Sequence, residues 1–259
     1  SVVLPFAILK IFIVCGIYNM SPLHQFEINR LININLFGYD LSFTNSALFM
    51  TIVVLFMTIL FFISVRKTEE VPSRLQAFAE VSYKTIADMI ESNVGIDGLR
   101  YAPLVFAVFF FVLGGNLVGM IPYTFTYTSH IIVTFGLAFI VILFVTILGF
   151  VKHGAHFLKF FVPEGVPVFL TPIVVPIEII SYLSRPLSLA IRLFANMMAG
   201  HTMLKVFAGF SVSLGVLACW LPLLVNIALT GFEIMVACLQ AYVFTILTCI
   251  YLNDAIHMH

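Results

Sequence analysis

RPLSLAIRLFANMMAGH, residues 185 to 201, puts Arg192 in the middle of an apolar segment, where a guanidinium is expensive. Apart from Arg185, the flanking charges are Glu178 and Lys205, 14 and 13 residues away, or roughly 20 Å each at the rise of a helix. Over that distance the side chain does not snorkel easily to both membrane surfaces. Because a guanidinium keeps its proton at any working pH, Arg192 cannot act as a stepping stone that takes up and releases protons. It is a permanent charge, and something must pair with it.

The chain around it is correspondingly apolar. Of 259 residues, 62% are hydrophobic and 9% charged, with a mean hydropathy of +1.14, well above the ~45–50% apolar content of soluble domains. The expectation is an all-α integral membrane protein. With 12 basic and 12 acidic residues and no basic block, nucleic-acid binding has no electrostatic support. Cys15, Cys219, Cys238 and Cys249 lie in apolar stretches without a CxxC pair and read as small hydrophobes. His153-x-x-His156 and His257-x-His259 have ligand-like spacing but no Cys or carboxylate cluster. Neither a metal nor a cofactor is expected.

Residues 1–46 read as an N-terminal interfacial segment and 47–259 as one membrane domain. LPFAILKIFIVCGI, residues 4 to 17, is short for a span and contains Lys10, so an interfacial helix is expected rather than a leader peptide. Ala47 to Val65 is an unbroken apolar run that ends at Arg66-Lys67, long enough to cross ~30 Å of hydrocarbon. Residues 73–95 mix five charges with Leu75, Phe78, Val81, Ile86 and Ile90, the pattern of an amphipathic surface helix. Further spans are expected at 103–121 and 131–151, joined by the aromatic segment PYTFTYTS. Two longer spans follow at 168–206 and 215–252, which should be strongly tilted because they exceed an upright crossing. Gly115 and Gly119 have a spacing that permits close helix packing, with Asn116 between them suited to an interhelical hydrogen bond.

Arg66, Lys67, Arg74, Lys84, Arg100, Lys152 and Lys159 all fall on one side of this five-span arrangement. By the positive-inside rule that side is the cytoplasm or mitochondrial matrix, with the N-terminus outside and the C-terminus inside.

At ~100° per residue, Glu178, Ser181, Arg185, Ser188, Ala195, Asn196 and Ala199 lie within about 60° of Arg192. Leu183, Leu187, Phe194 and Met197 lie on the other side. A small, polar stripe suits a helix–helix contact, but packing alone does not explain a central arginine. Glu233 is the only acid between Glu178 and Asp254. Asn226, Glu233 and Gln240 recur every seven residues and so share one face of the last helix. That face reads first as the lining of a water path; the alternatives for Glu233 are a structural pair with Arg192 and a lipid or partner contact. His201 has a side chain suited to proton relay, though a lone histidine near a helix end is often only a hydrogen-bonding residue.

RLFAN with a downstream Glu and Gln, together with SPLHQFEI (21–28), GMIPYTFTYTSH (119–130) and CIYLNDA (249–255), resembles subunit a of F-type ATP synthases, called subunit 6 in mitochondria. His201 after AG, Glu233 in the last helix and the YLND ending resemble the mitochondrial or alphaproteobacterial members. The resemblance implies a proton-translocating stator subunit with two offset half-channels serving the carboxylates of a c-subunit ring. It implies that Arg192 faces the ring and blocks a proton short circuit. Glu233 and His201 would line the inlet, Gln240 would pack beside the arginine, and Glu178 and Asp254 would mark the exit. Asn226 belongs to the polar lining, and Asn196 fits the motif with packing as its first role. The implied partners are the c-ring, a peripheral-stalk b-type subunit, other Fo subunits, the lipid membrane and protons. The implied location is the mitochondrial inner membrane, multi-pass, with the bacterial plasma membrane as alternative. A proton-coupled solute transporter is the competing class, but neither an internal repeat nor paired, interrupted half-helices speak for it. A purely structural membrane subunit would instead tolerate neutral replacement of Arg192, Glu178 and Glu233 together.

Overall fold

A computed structural model describes residues 27–33, 35–36, 39–40, 42–66, 72–121, 124–154, 171–213 and 220–257. The interfacial helix expected at 4–17 lies outside the described residues, as do Lys67, Lys159, His156, His259, Cys15 and Cys219. Two short antiparallel pairings come first, β1 (Arg30–Ile32) with β4 (Phe43–Thr44) and β2 (Asn35–Leu36) with β3 (Tyr39–Asp40). They were not foreseen, because strands of two or three residues carry too little alternation to be read from sequence.

Every other long element is helical: α1 (Asn45–Arg66), α2 (Arg74–Val94), α3 (Ala102–Gly119), α4 (Ile131–His153), α5 (Thr171–Ser213) and α6 (Trp220–Ile256). Among the described residues, five stretches are long and apolar enough to cross a membrane, comprising α1, α3 with the 3-10 turn before it, α4, α5 and α6. The chain is an all-α integral membrane protein. Helix α5 has 43 residues and α6 has 37, so they measure roughly 65 and 55 Å. Pro176 and Pro186 lie inside α5 without ending it, although each removes one backbone donor.

Helix α2 starts at Ser73, whose side chain accepts from the Gln76 N–H at 3.4 Å. It stops at Gly95, whose φ of 87° suits glycine. Its buried stripe comprises Gln76, Ala79, Ile86, Met89, Ile90 and Val94. Ile86 and Ile90 thus turn inward as the amphipathic pattern requires, whereas Leu75, Phe78 and Val81 are exposed. Those three fall off the inward stripe, and an interfacial helix has a second apolar medium available to it.

The chain divides into two compact units. One comprises Ser1–Thr58, Phe111–His130 and Leu193–Ala241; the other comprises Ile59–Phe110, Ile131–Arg192 and Tyr242–His259. In the first, a Cβ at Gly114 would lie 2.7 Å from Val53 Cγ1, so α1 and α3 approach closely there. Gly115 and Gly119 work differently from the helix contact expected of them. A Cβ at Gly115 would collide with the Tyr127 hydroxyl, and one at Gly119 would meet Thr126 Cγ2 at 2.5 Å. After α3 the chain turns back through the 3-10 turn Tyr127–Ser129, and the glycines admit that returning turn. In the second unit, Phe61 packs edge-on against Phe106 and Phe110 at 4.8 and 4.7 Å between centroids. Another cluster there joins Ile142, Val145, Tyr182, Tyr251 and Ala255.

Candidate proton-path residues

In the first unit, the shared face of α6 is buried as its spacing requires: Asn226, Thr230, Glu233 and Gln240 are each no more than 5% exposed. Opposite Glu233 stands His201 of α5, itself 2% exposed, with Nδ1 at 3.3 Å from Glu233 Oε1. The ring's other nitrogen, Nε2, lies 3.3 Å from Thr126 Oγ1. Gly200 lets the carboxylate come this close, since a Cβ there would sit 2.8 Å from Glu233 Oε1. Two elements that are distant in sequence therefore clamp one imidazole from both sides.

Two amides extend this polar lining. Asn196 Nδ2 donates to Gln240 Oε1 at 3.1 Å, and Asn116 Nδ2 donates to the Ala237 carbonyl at 3.2 Å. The second bond is the interhelical role expected of Asn116, and the first ties α5 to α6. Asn116 Oδ1, Asn226 Oδ1 and Gln240 Nε2 are buried without a hydrogen-bond partner among the described residues. Water is the partner that such buried groups ordinarily take. In the turn beneath, the Tyr127 hydroxyl donates to the Phe111 carbonyl at 2.8 Å, and burial pushes its pKa up. His130 stacks on Phe125 with centroids 5.0 Å apart, and burial holds its pKa below the usual 6.5.

The second unit contains a different pair. Arg185 donates from Nη1 to Asp254 Oδ2 at 3.0 Å, with the two side chains 30% and 32% exposed. Its guanidinium carbon lies 5.9 Å from the Tyr182 ring centroid and 5.8 Å from that of Tyr251, within cation–π range. Thr146 and Tyr182 share a hydroxyl hydrogen bond of 2.7 Å, which joins α4 to the same cluster. Glu178 is half-buried on α5.

Arg192 is exposed, as are Ser181, Ser184 and Ser188 earlier on α5. Ala195 and Ala199, which follow at helical spacing, are exposed as well. Leu183 and Leu187, expected to face the other way, are also exposed, because a helix in lipid can leave apolar flanks uncovered. Arg185 and Asn196 leave the exposed stripe that their angles suggested, since each turns to a polar partner on α6. The Arg185 pair, Thr126 and Gly200 were missed from sequence. Residues 185 and 254 are linked by no spacing rule, and Thr126 reaches His201 across 75 positions. Among the described residues no group of His, Cys, Asp and Glu has the arrangement of a metal site. Cys238 and Cys249 are free thiols.

The family model described as ATP synthase A chain matches residues 47–253. ATP synthase subunit a of Mesorhizobium japonicum is 54% identical over 244 residues, covering 92% of this chain and 97% of that protein. ATP synthase subunit a of Pelagibacter ubique is 55% identical over 240 residues, covering 92% and 98% respectively. With Arg192, His201, Glu233 and Gln240 all inside the matched span, the chain belongs to the ATP synthase A chain (subunit a) family.

Proposed function

We propose that this chain is the proton-translocating stator subunit of the Fo sector of an ATP synthase, working against a ring of c subunits. The observation that carries the reading is an exposed Arg192 with Ser188, Ala195 and Ala199 exposed at helical spacing around it, on a helix where Arg185, Asn196 and His201 each find a partner on α6. A small-residue surface admits another helix closely, and a cation there requires an acidic group on whatever approaches.

In this reading His201 and Glu233 belong to the inlet half-channel, with Asn226 and Gln240 along the same polar face of α6. Asn196 positions Gln240 through the 3.1 Å bond. Glu178 and Asp254 mark the exit side. A c-subunit carboxylate protonated at the inlet turns through lipid at lower cost than its anion. At the exit the field of Arg192 favours the carboxylate, so the proton leaves. The same charge opposes a direct hop between the half-channels. Partner subunits then use the torque to make ATP.

The partners are the c-ring, a peripheral-stalk b-type subunit, other Fo subunits and the lipid. Helices α5 and α6 cross strongly tilted, which their length against ~30 Å of hydrocarbon favours. The basic residues face the cytoplasm or matrix, with the N-terminus on the other side. The AGH run and YLND ending fit either the mitochondrial inner membrane or an alphaproteobacterial plasma membrane, and the bacterial relatives at 54% and 55% identity support the second. Fractionation of the source cells separates these two locations.

The functional test is Arg192→Ala in a complex reconstituted with its c-ring. Gradient-driven ATP synthesis should disappear; synthesis at the parental rate would sink the reading.

A further inference from the structure

Thr126 has one hydroxyl hydrogen to donate and two lone pairs. Its Oγ1 lies 3.4 Å from the Gly119 carbonyl and 3.3 Å from His201 Nε2. Gly119 is the last residue of α3, and the last carbonyls of a helix are the ones without an intrahelical donor. A carbonyl can only accept, so the hydroxyl hydrogen goes to Gly119. What Thr126 then offers His201 is a lone pair, which requires the imidazole hydrogen to be on Nε2.

We propose that Thr126 is a positioning residue that holds neutral His201 as its Nε2–H tautomer, making the His201–Glu233 contact a site for a single proton. The proposal rests on the reading of this pair as part of the inlet path. With Nε2–H in place, neutral His201 presents the bare Nδ1 lone pair to Glu233 Oε1, 3.3 Å away. Two facing lone pairs repel, and one proton between them removes the conflict. That proton sits on Oε1 as a carboxylic acid donating to Nδ1, or on Nδ1 as an imidazolium beside a carboxylate. The two forms differ only by its transfer, with one bond to oxygen exchanged for one to nitrogen. A contact that is repulsive when empty and attractive when filled holds one proton firmly and passes on that one.

The surroundings enforce this arrangement. Thr126, His201 and Glu233 are 0%, 2% and 4% exposed. A Cβ at Gly119 would come within 2.6 Å of Thr126 Oγ1, and one at Gly200 within 2.8 Å of Glu233 Oε1. Among the described residues, Glu233 faces His201 from α6 and Thr126 faces it from the turn. Lys205 follows one turn along α5, and Tyr127 and His130 are the titratable groups of the turn. The parts of α1 and α3 in this unit carry no charged side chain.

Loss of the hydroxyl frees the ring to place its hydrogen on Nδ1 and donate to an ionised Glu233. The empty site is then satisfied without a proton and holds the next one less tightly. In vesicles containing the complete complex, ATP synthesis measured against inlet-side pH should show a midpoint about one pH unit lower for Thr126→Val. Thr126→Ser, which keeps the hydroxyl, should retain the parental midpoint. A parental midpoint in Thr126→Val, or an equal shift in Thr126→Ser, overturns the proposal. Nitrogen-15 NMR of the histidine-labelled parental complex gives a second test that does not depend on the variants' assembly, with the His201 signal identified by its loss in His201→Gln. An Nε2–H neutral ring is expected, and an Nδ1–H ring overturns the assignment. Glu233→Gln in the same vesicles separates the two levels. Parental flux there overturns the proton-path reading, whereas lost flux there with no shift in Thr126→Val overturns only the role of Thr126.

Discussion

Helices α5 and α6 meet in two base–acid pairs that look alike in one dimension and differ in chemistry. Arg185 and Asp254 stand 3.0 Å apart and are about one-third exposed, with two tyrosine rings flanking the cation. His201 and Glu233 stand 3.3 Å apart and are almost wholly buried. A guanidinium does not lose its proton, so the first pair has one charge pattern and serves to hold the end of α6. An imidazole does lose its proton, so the second pair changes charge with occupancy. Burial is tolerable for it because a shared proton can leave both partners neutral. The pair suited to pinning helices together is thus the permanently cationic, partly exposed one, and the pair suited to passing protons is the buried one.

That contrast breaks if the pairs respond alike to neutral substitution. The largest effect is expected for Glu233→Gln, which should slow proton-driven ATP synthesis by about a hundredfold with the complex still assembled on native gels. Loss of assembly instead would make the buried pair structural. Gly200→Ala should come next, because the added Cβ falls 2.8 Å from Glu233 Oε1 and displaces the carboxylate without removing it. We expect roughly a tenfold drop in flux and a stability loss of about 1–3 kcal/mol from overpacking. Thermal unfolding of the complex checks the second figure. Asp254→Asn should matter least to flux, a change of about twofold, because it takes a partner from a partly exposed cation worth about 1 kcal/mol or less. Its signature is faster amide exchange in the last turns of α6, around Tyr251 to Ile256. A flux loss as large as that of Glu233→Gln would promote Asp254 from anchor to obligatory proton carrier.

The spans were legible because each rests on a run of apolar residues long enough for the hydrocarbon core, as Ala47 to Val65 shows. The heptad spacing of Asn226, Glu233 and Gln240 correctly marked a single face, and all three are buried. Helix α5 runs on past the expected end at Val206 to Ser213, since Phe207, Ala208 and Phe210 do not break a helix. The stripe around Arg192 was read less well. Angles on a wheel ignore the reach of long side chains, and Arg185 and Asn196 turn to partners on α6 that no local pattern identifies. Thr126 was illegible for a related reason. Its position depends on a turn that folds back over two glycines, and the contact spans 75 residues. The glycines themselves were visible, but their spacing suggested a facing helix where a returning turn lies.

The central claim is that Arg192, a cation that cannot discharge, separates two proton paths at a surface facing the c-ring. It is tested most directly by proton leakage in vesicles carrying the whole Fo sector with the ring cross-linked against rotation. The parental complex should remain tight, while Arg192→Ala should conduct protons down the gradient without turning. An Arg192→Ala complex as tight as the parent would contradict the account.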